Sequence, residues 1–247
     1  MLERDVAPGI HRIEDSYTNW YLVEDDGRIT IVDAGVPTSW SSLVGAMREL
    51  GRSPDEIDAL VLTHAHFDHI GFAERARERL GIAVHVHEND VPLTRKPRLY
   101  GRERSPLHYV ATKPKALPIV MSFLARGAFW PTPVEQVDRF GDDGELPVAG
   151  SPHVVFTPGH TLGHCALHYP DRDAVIAGDA VVTLNPYTGE PGPQIVAQAA
   201  TADSQRNLES LDALAETGAR TVLTGHGDPW RDGAEAIAEQ ARSRGVT

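Results

Sequence analysis

The segment His64-Ala65-His66-Phe67-Asp68-His69 places four metal-donor side chains within six residues, directly behind the apolar run Ile57 to Leu62. Such a run reads as a buried strand, so the polar cluster stands at a strand's carboxyl end. In a loop of this kind alternate residues can face one ion and the next pair a second position, because the backbone changes direction within a few residues. Two sites fit there. Imidazole suits zinc, iron and copper, and a carboxylate keeps the site borderline-hard, so zinc leads and iron or manganese stay open. The bland alternative is a loop of surface histidines.

Three further elements weigh against it. Thr157-Pro158-Gly159-His160-Thr161, Gly178-Asp179 and Gly225-His226-Gly227 each bring one more donor behind an expected strand: His153 to Thr157, Ala174 to Ala177 and Thr221 to Leu223. Glycine beside a donor lets the backbone turn sharply and approach an ion. Other strands are expected at Gly9 to Ile13, Asn19 to Val23, Arg28 to Asp33, Ala83 to His87 and Cys165 to Tyr169, with Asp25-Asp26-Gly27 as a hairpin turn. Helical spacing marks Trp40 to Leu50, with Thr38 or Ser39 as N-cap and Gly51 as stop, then Phe72 to Leu80. Leu208, Leu211, Leu214 and Ala215 mark another helix, with Thr201 or Asp203 as N-cap, and a last one runs around Ala234 to Ala241. Two mixed sheets with outer helices account for this order, in a single domain over residues 1–247.

The ordered donors, His-x-His-x-Asp-His followed by a lone His, an Asp and a last His, resemble the metallo-β-lactamase superfamily, from about Asn19 to Trp230. The resemblance implies an α/β fold, a four-layer αβ/βα sandwich of two similar halves with metals at the sheet edge between them. Carried over residue by residue, His64, His66 and His160 would hold one metal and Asp68, His69 and His226 the other. Asp179 would bridge them. Asp33 resembles the family's Asp that steadies the ligand loop, and His164, four residues after His160, fits a supporting place in that loop.

The implied chemistry is hydrolysis by a hydroxide shared between two zinc ions, with Asp68 orienting it and relaying a proton. No Ser or Cys nucleophile is needed, and Cys165, the lone cysteine, reads as packing. Asp179 stands where lactamases of the Cys-ligand kind carry that Cys, which disfavours β-lactam hydrolysis. The chain ends one helix after His226, without the basic helical region of the glyoxalase II enzymes, so glutathione itself is disfavoured while another thioester is not. Lactonases share the donor set and place a Tyr shortly after the bridging Asp; Tyr187 is the candidate here for substrate contact. The expected activity is cleavage of an ester, thioester or lactone. The alternative is a mononuclear-iron enzyme resembling persulfide dioxygenase. A non-catalytic binding module would need lost ligands, and none is missing.

Charge bounds the partners. With 23 Lys plus Arg against 35 Asp plus Glu, the chain carries −12. That charge is uneven, because residues 92–135, a Pro-rich insertion, hold eight basic residues and two acids, leaving −18 on the remainder. An acidic body repels phosphate backbones, so nucleic acid is not an expected partner, whereas a small anionic acyl substrate under a basic lid is. Within the insertion, Ala116 to Trp130 is mostly apolar and too short to span a bilayer; it is read as a lid, a homodimer contact, a membrane-surface contact or part of the core. One cysteine and no signal-like start lead to the expectation of a reducing, cytoplasmic compartment.

Overall fold

A computed structural model describes residues 1–246. The first half contains β1 (Leu2–Ala7), β2 (Ile10–Asp15), β3 (Thr18–Asp25), β4 (Arg28–Val32), α1 (Trp40–Leu50), β5 (Ile57–Val61), α2 (Ala73–Leu80) and β6 (Ala83–His87). Three short helices follow, α3 (Val91–Arg95), α4 (Pro106–Thr112) and α5 (Leu117–Ala125), before β7 (Asp138–Phe140). The second half contains β8 (His153–Phe156), β9 (Cys165–Tyr169), β10 (Ala174–Gly178), β11 (Val182–Leu184), β12 (Pro191–Gln194), α6 (Ser204–Glu216), β13 (Thr221–Thr224) and α7 (Ala234–Arg244).

Strands β1 to β7 pair in chain order, antiparallel as far as β4 and parallel from β4 to β7. The second sheet runs β13-β10-β9-β8, with only the β10–β13 pair parallel. The period-two alternation of side chains then decides the layers. In β5, Ala59 and Val61 pack between the sheets against Leu167, Ile176 and Leu223, while Leu60 faces outward to Leu43, Met47 and Ala76 of α1 and α2. In β10, Ile176 faces the same inter-sheet core, and Val175 and Ala177 face Leu211, Leu214 and Ile237 of α6 and α7. The result is the expected four-layer αβ/βα sandwich. No helix among the described residues is long and apolar enough to cross a membrane.

Local chemistry departs from expectation at the start of α1 and chooses between the two candidates at the start of α6. Ser39 stands at the N-cap of α1, but its hydroxyl accepts from Val36 N–H (3.2 Å) and donates to Asp15 (3.0 Å), so no side chain caps the helix. Asp203 rather than Thr201 caps α6, accepting from Arg206 N–H at 2.9 Å, while the Thr201 hydroxyl donates to the Val196 carbonyl at 2.8 Å.

The insertion forms α3 to α5, and each of these helices carries a proline in its first turn, where the missing N–H costs nothing. Ile119, Phe123 and Ala128 bury one face against Val36 and Phe67. The opposite face leaves Leu117, Met121, Leu124 and Trp130 exposed. Glu103 ties this segment to the second half: its carboxylate accepts from Ser204 N–H at 3.0 Å and from Gln198 Nε2 at 2.9 Å.

Candidate metal centre

All seven expected donors lie just beyond strand carboxyl ends. His64, His66, Asp68 and His69 follow β5, His160 follows β8, Asp179 follows β10 and His226 follows β13. Each is 6% exposed or less. The donor atoms of His64, His66 and His160 lie within 4.8 Å of one another, as do those of Asp68, His69 and His226. Asp179 touches both groups. Its Oδ2 is 3.4 Å from His160 Nε2 and 3.3 Å from His226 Nε2, and its Oδ1 is 3.6 Å from His69 Nε2. Asp68 Oδ2 is 3.5 Å from His226 Nε2. These spacings need close backbones, which explains the glycines. A Cβ on Gly225 would stand 2.1 Å from Asp179 Oδ1, and one on Gly178, at φ +50°, 2.6 Å from Thr63 Oγ1.

Hydrogen bonds on the outer side of the rings fix which nitrogen faces inward. Asp33, held at φ +61°, accepts from Thr63 N–H (2.8 Å), the Thr63 hydroxyl (2.9 Å) and His69 Nδ1 (3.0 Å). Because the Thr63 proton is committed to Asp33, Thr63 Oγ1 accepts from His64 Nδ1 at 3.0 Å. His226 Nδ1 donates to the Tyr17 carbonyl at 2.7 Å. In each case Nδ1 carries a proton and Nε2 is the nitrogen that faces the cluster. Nε2 of His64, His66 and His160 is buried without a hydrogen-bond partner among the described residues. An unpartnered buried polar atom is costly, and three that converge fit a cation. Asp33, His64 and His69 also come within 4.8 Å, yet the Asp33 oxygens are already used by Thr63 and His69.

His164 does not join the donors. Its Nε2 accepts from Asp179 N–H at 3.0 Å, and its Nδ1 bonds Thr157 Oγ1 at 2.8 Å, so the ring sets the backbone that carries Asp179. Asp90 was not legible in the sequence. Its carboxylate accepts from Ala65 N–H (3.0 Å), Gly163 N–H (2.8 Å) and the Thr161 hydroxyl (2.7 Å), clamping the His64–His69 loop to the loop of His160. Its only signal was a carboxylate shortly after the next parallel strand, β6.

The electrostatics divide the cluster. Burial, reinforced by the neighbouring imidazoles, holds His64 well below the usual histidine range, and His66 falls to about 3 for the same main reason. Burial would also lower His69, but the carboxylates of Asp179, Asp68 and Asp33 overcome it and raise that ring to about 10. His226 is raised against its burial by Asp179 and Asp68. Asp68 is raised by burial, whereas Asp179 is held low despite burial by His226, His69 and His160. One group is thus three neutral nitrogen donors, and the other balances its carboxylates with protons that a cation can replace.

The Tyr187 hydroxyl is 3.1 Å from that of Tyr100, and the nearby Asp68 and Asp179 carboxylates add to the burial that raises its pKa. Tyr100, in the insertion, packs its ring on His66 with centroids 4.3 Å apart. Sequence reading missed it, because a Tyr in a Pro- and Arg-rich segment carries no spacing signal.

Two α/β halves with a buried His and Asp donor set at their joined strand ends define a class of metal-site protein. Residues 13–226 match the family described as the metallo-beta-lactamase superfamily, and the chain belongs to it. It is 27% identical over 237 residues to the probable metallo-hydrolase YflN of Bacillus subtilis, covering 91% of this chain and 86% of that protein. Among solved structures, it is similar to the metallo-beta-lactamase family protein TTHA1429 of Thermus thermophilus (TM-score 0.69, 25% identity, 96% of this chain and 79% of that one). A second, TTHA1623 in a di-iron-bound form, gives a TM-score of 0.61 at 25% identity, covering 91% of this chain and 95% of that one.

Proposed function

We propose that this chain is a metal-dependent hydrolase that cleaves an ester, thioester or lactone bond, with two zinc ions held between its halves. The observation that carries the reading is the set of three unpartnered buried Nε2 atoms beside a second donor group, with Asp179 in contact with both. The description of YflN as a probable metallo-hydrolase supports the reaction class, and the di-iron form of TTHA1623 supports two ions and keeps iron beside zinc as an occupant.

His64, His66 and His160 would hold one ion, Asp68, His69 and His226 the other, and Asp179 both. Bound there, divalent cations polarise a carbonyl and bring the pKa of water near neutrality. The chain's own contribution is position and proton control. Asp33 and the Tyr17 carbonyl keep His69 and His226 turned inward, and His164 fixes the Asp179 backbone. Asp68, whose carboxyl burial raises, is placed to hold the proton that the attacking water loses. Cys165 has no part: it is buried and its thiol is pushed up by burial. A single-metal reading would leave Asp68, His69 and His226 without a role.

The test is a panel of thioesters, lactones, aryl esters, β-lactams and phosphodiesters offered to the metal-loaded protein, with a chelator control. Turnover of at least one of the first three groups, abolished by chelation and restored by zinc, is expected. Turnover confined to β-lactams or phosphodiesters, or unaffected by chelation, contradicts the reading.

A further inference from the structure

The insertion does more than complete a small core around Phe67. A cavity of about 270 Å³ opens between it and the donor loops. Its inner end is Phe67, which sits between His66 and Asp68 in sequence, with Tyr100 and Tyr187. Its walls are apolar, including Ala116, Leu117, Val120 and Phe129. Three cations, Arg98, Arg102 and Lys113, line it, and no carboxylate does. None of the three has a carboxylate partner within 4 Å among the described residues, although Lys115 and Arg126 nearby are paired with Glu190 and Asp15. Arg102 hydrogen-bonds Tyr100, so one of these cations is connected to the tyrosine pair at the inner end.

We infer that this cavity is the substrate pocket, and that it selects an acyl group with an apolar middle and an anionic far end. The inference rests on the hydrolytic reading of the adjacent metal centre. Three observations combine. The cavity leads from the ring packed on His66 outward, so a carbonyl at the donors would extend its acyl chain along Phe67, Val120 and Phe129. Its size suits roughly six to ten carbons, given that a dry cavity of about 150 Å³ holds benzene. Arginine and lysine with no carboxylate partner among the described residues, on a body of opposite charge, present an anion site at the cavity wall. A carboxylate or phosphate terminus meets the same need.

The reaction needs only water. The water oxygen bonds to the acyl carbon, the bond to the leaving oxygen or sulfur breaks, one proton goes to the leaving group or solvent, and nothing is oxidised.

The test compares two aryl esters of equal chain length on the metal-loaded protein: the mono-4-nitrophenyl ester of suberic acid, which carries a terminal carboxylate, and 4-nitrophenyl octanoate. We expect kcat/KM for the suberate ester to be at least tenfold higher at low salt, mostly through KM, with the ratio falling as salt is added. In the triple variant Arg98→Gln, Arg102→Gln, Lys113→Gln, whose sites are exposed, the ratio should fall to near one. Val120→Trp, which fills the wall, should raise KM for both. A ratio near one in the native chain, or a high ratio that survives the triple variant, overturns the inference. Calorimetric binding of octyl sulfate against octanol separates the two levels: a tenfold preference for octyl sulfate that the triple variant loses, with neither ester hydrolysed, would keep the pocket and sink the hydrolytic reading.

Discussion

The donor shell and the insertion follow opposite rules of construction. Around the donors the supporting polar side chains are committed, while the donor atoms themselves are left to converge on one another. Asp33, Asp90, Thr63 and His164 are buried, and each holds a donor loop or ring through short hydrogen bonds. In the insertion, apolar side chains such as Leu107 (76% exposed) and Leu99 (73%) face solvent, and most cations have no acid partner. A preorganised cluster loses function when one hydrogen bond goes, whereas a surface built from exposed side chains tolerates single changes. The contrast separates a site that fixes chemistry from one that selects what reaches it.

Substitutions test that division most sharply where the two donor groups meet. Asp179→Asn removes the charge that balances both groups, so hydrolysis should fall to background and metal content to one ion or fewer, read by elemental analysis. Retention of both ions would show that Asp179 does not join the groups. Asp33→Asn comes next, because it keeps the shape but weakens the acceptor of Thr63 and His69. Metal affinity should drop about 10–100-fold, measured by competition with a chromophoric chelator, and an unchanged affinity would mean that the His69 ring is held by packing alone.

The metal-free protein should show a stability maximum near pH 6.5, the unfolded histidine value. His64, His66, His160 and His164 are lowered mainly by burial, to about 3 for His66 and His164. As pH falls below that of the unfolded histidines, the unfolded chain takes up protons that the folded chain refuses, and stability is lost. His69 is raised to about 10, so its contribution is present on the acid side and lost as pH rises toward that value. Each histidine adds a slope of about 1.4 kcal/mol per pH unit within its window. Chemical denaturation across pH checks this, and zinc should flatten the alkaline limb by replacing the His69 proton. An alkaline limb that zinc leaves unchanged would break the assignment of His69 as a donor.

The smallest effect belongs to the insertion. Leu124→Ser, at a side chain 45% exposed, should change stability by no more than about 0.5 kcal/mol and leave metal content unaltered. A larger loss would mean that this face is covered by something in solution.

How much of this was legible in the sequence depends on range. The donors and the strands that carry them could be read because each combines a local apolar run with a local cluster, as in Ile57 to His69. The four layers came only with the family resemblance, because the near-continuous apolar run of β5 does not say which side chains face the other sheet and which face the helices. Asp90 and Tyr100 could not be read, since their meaning lies in contacts with Ala65, Gly163 and His66 that spacing along the chain does not encode. Thr201 and Asp203 offered equal cap chemistry, and only the Val196 carbonyl beside Thr201 decides between them. The role of the insertion was undecided for the same reason: Ile119 and Phe123 complete a core while Leu117 and Met121, two positions away from each, do not.

The central claim is that two donor groups, joined by Asp179, hold two metal ions. Metal content per chain, measured on native protein and on His160→Ala and His226→Ala variants, tests it most directly. The account predicts close to two zinc ions in the native chain and about one in each variant. One iron per chain in the native protein, lost in His160→Ala and retained in His226→Ala, would contradict it.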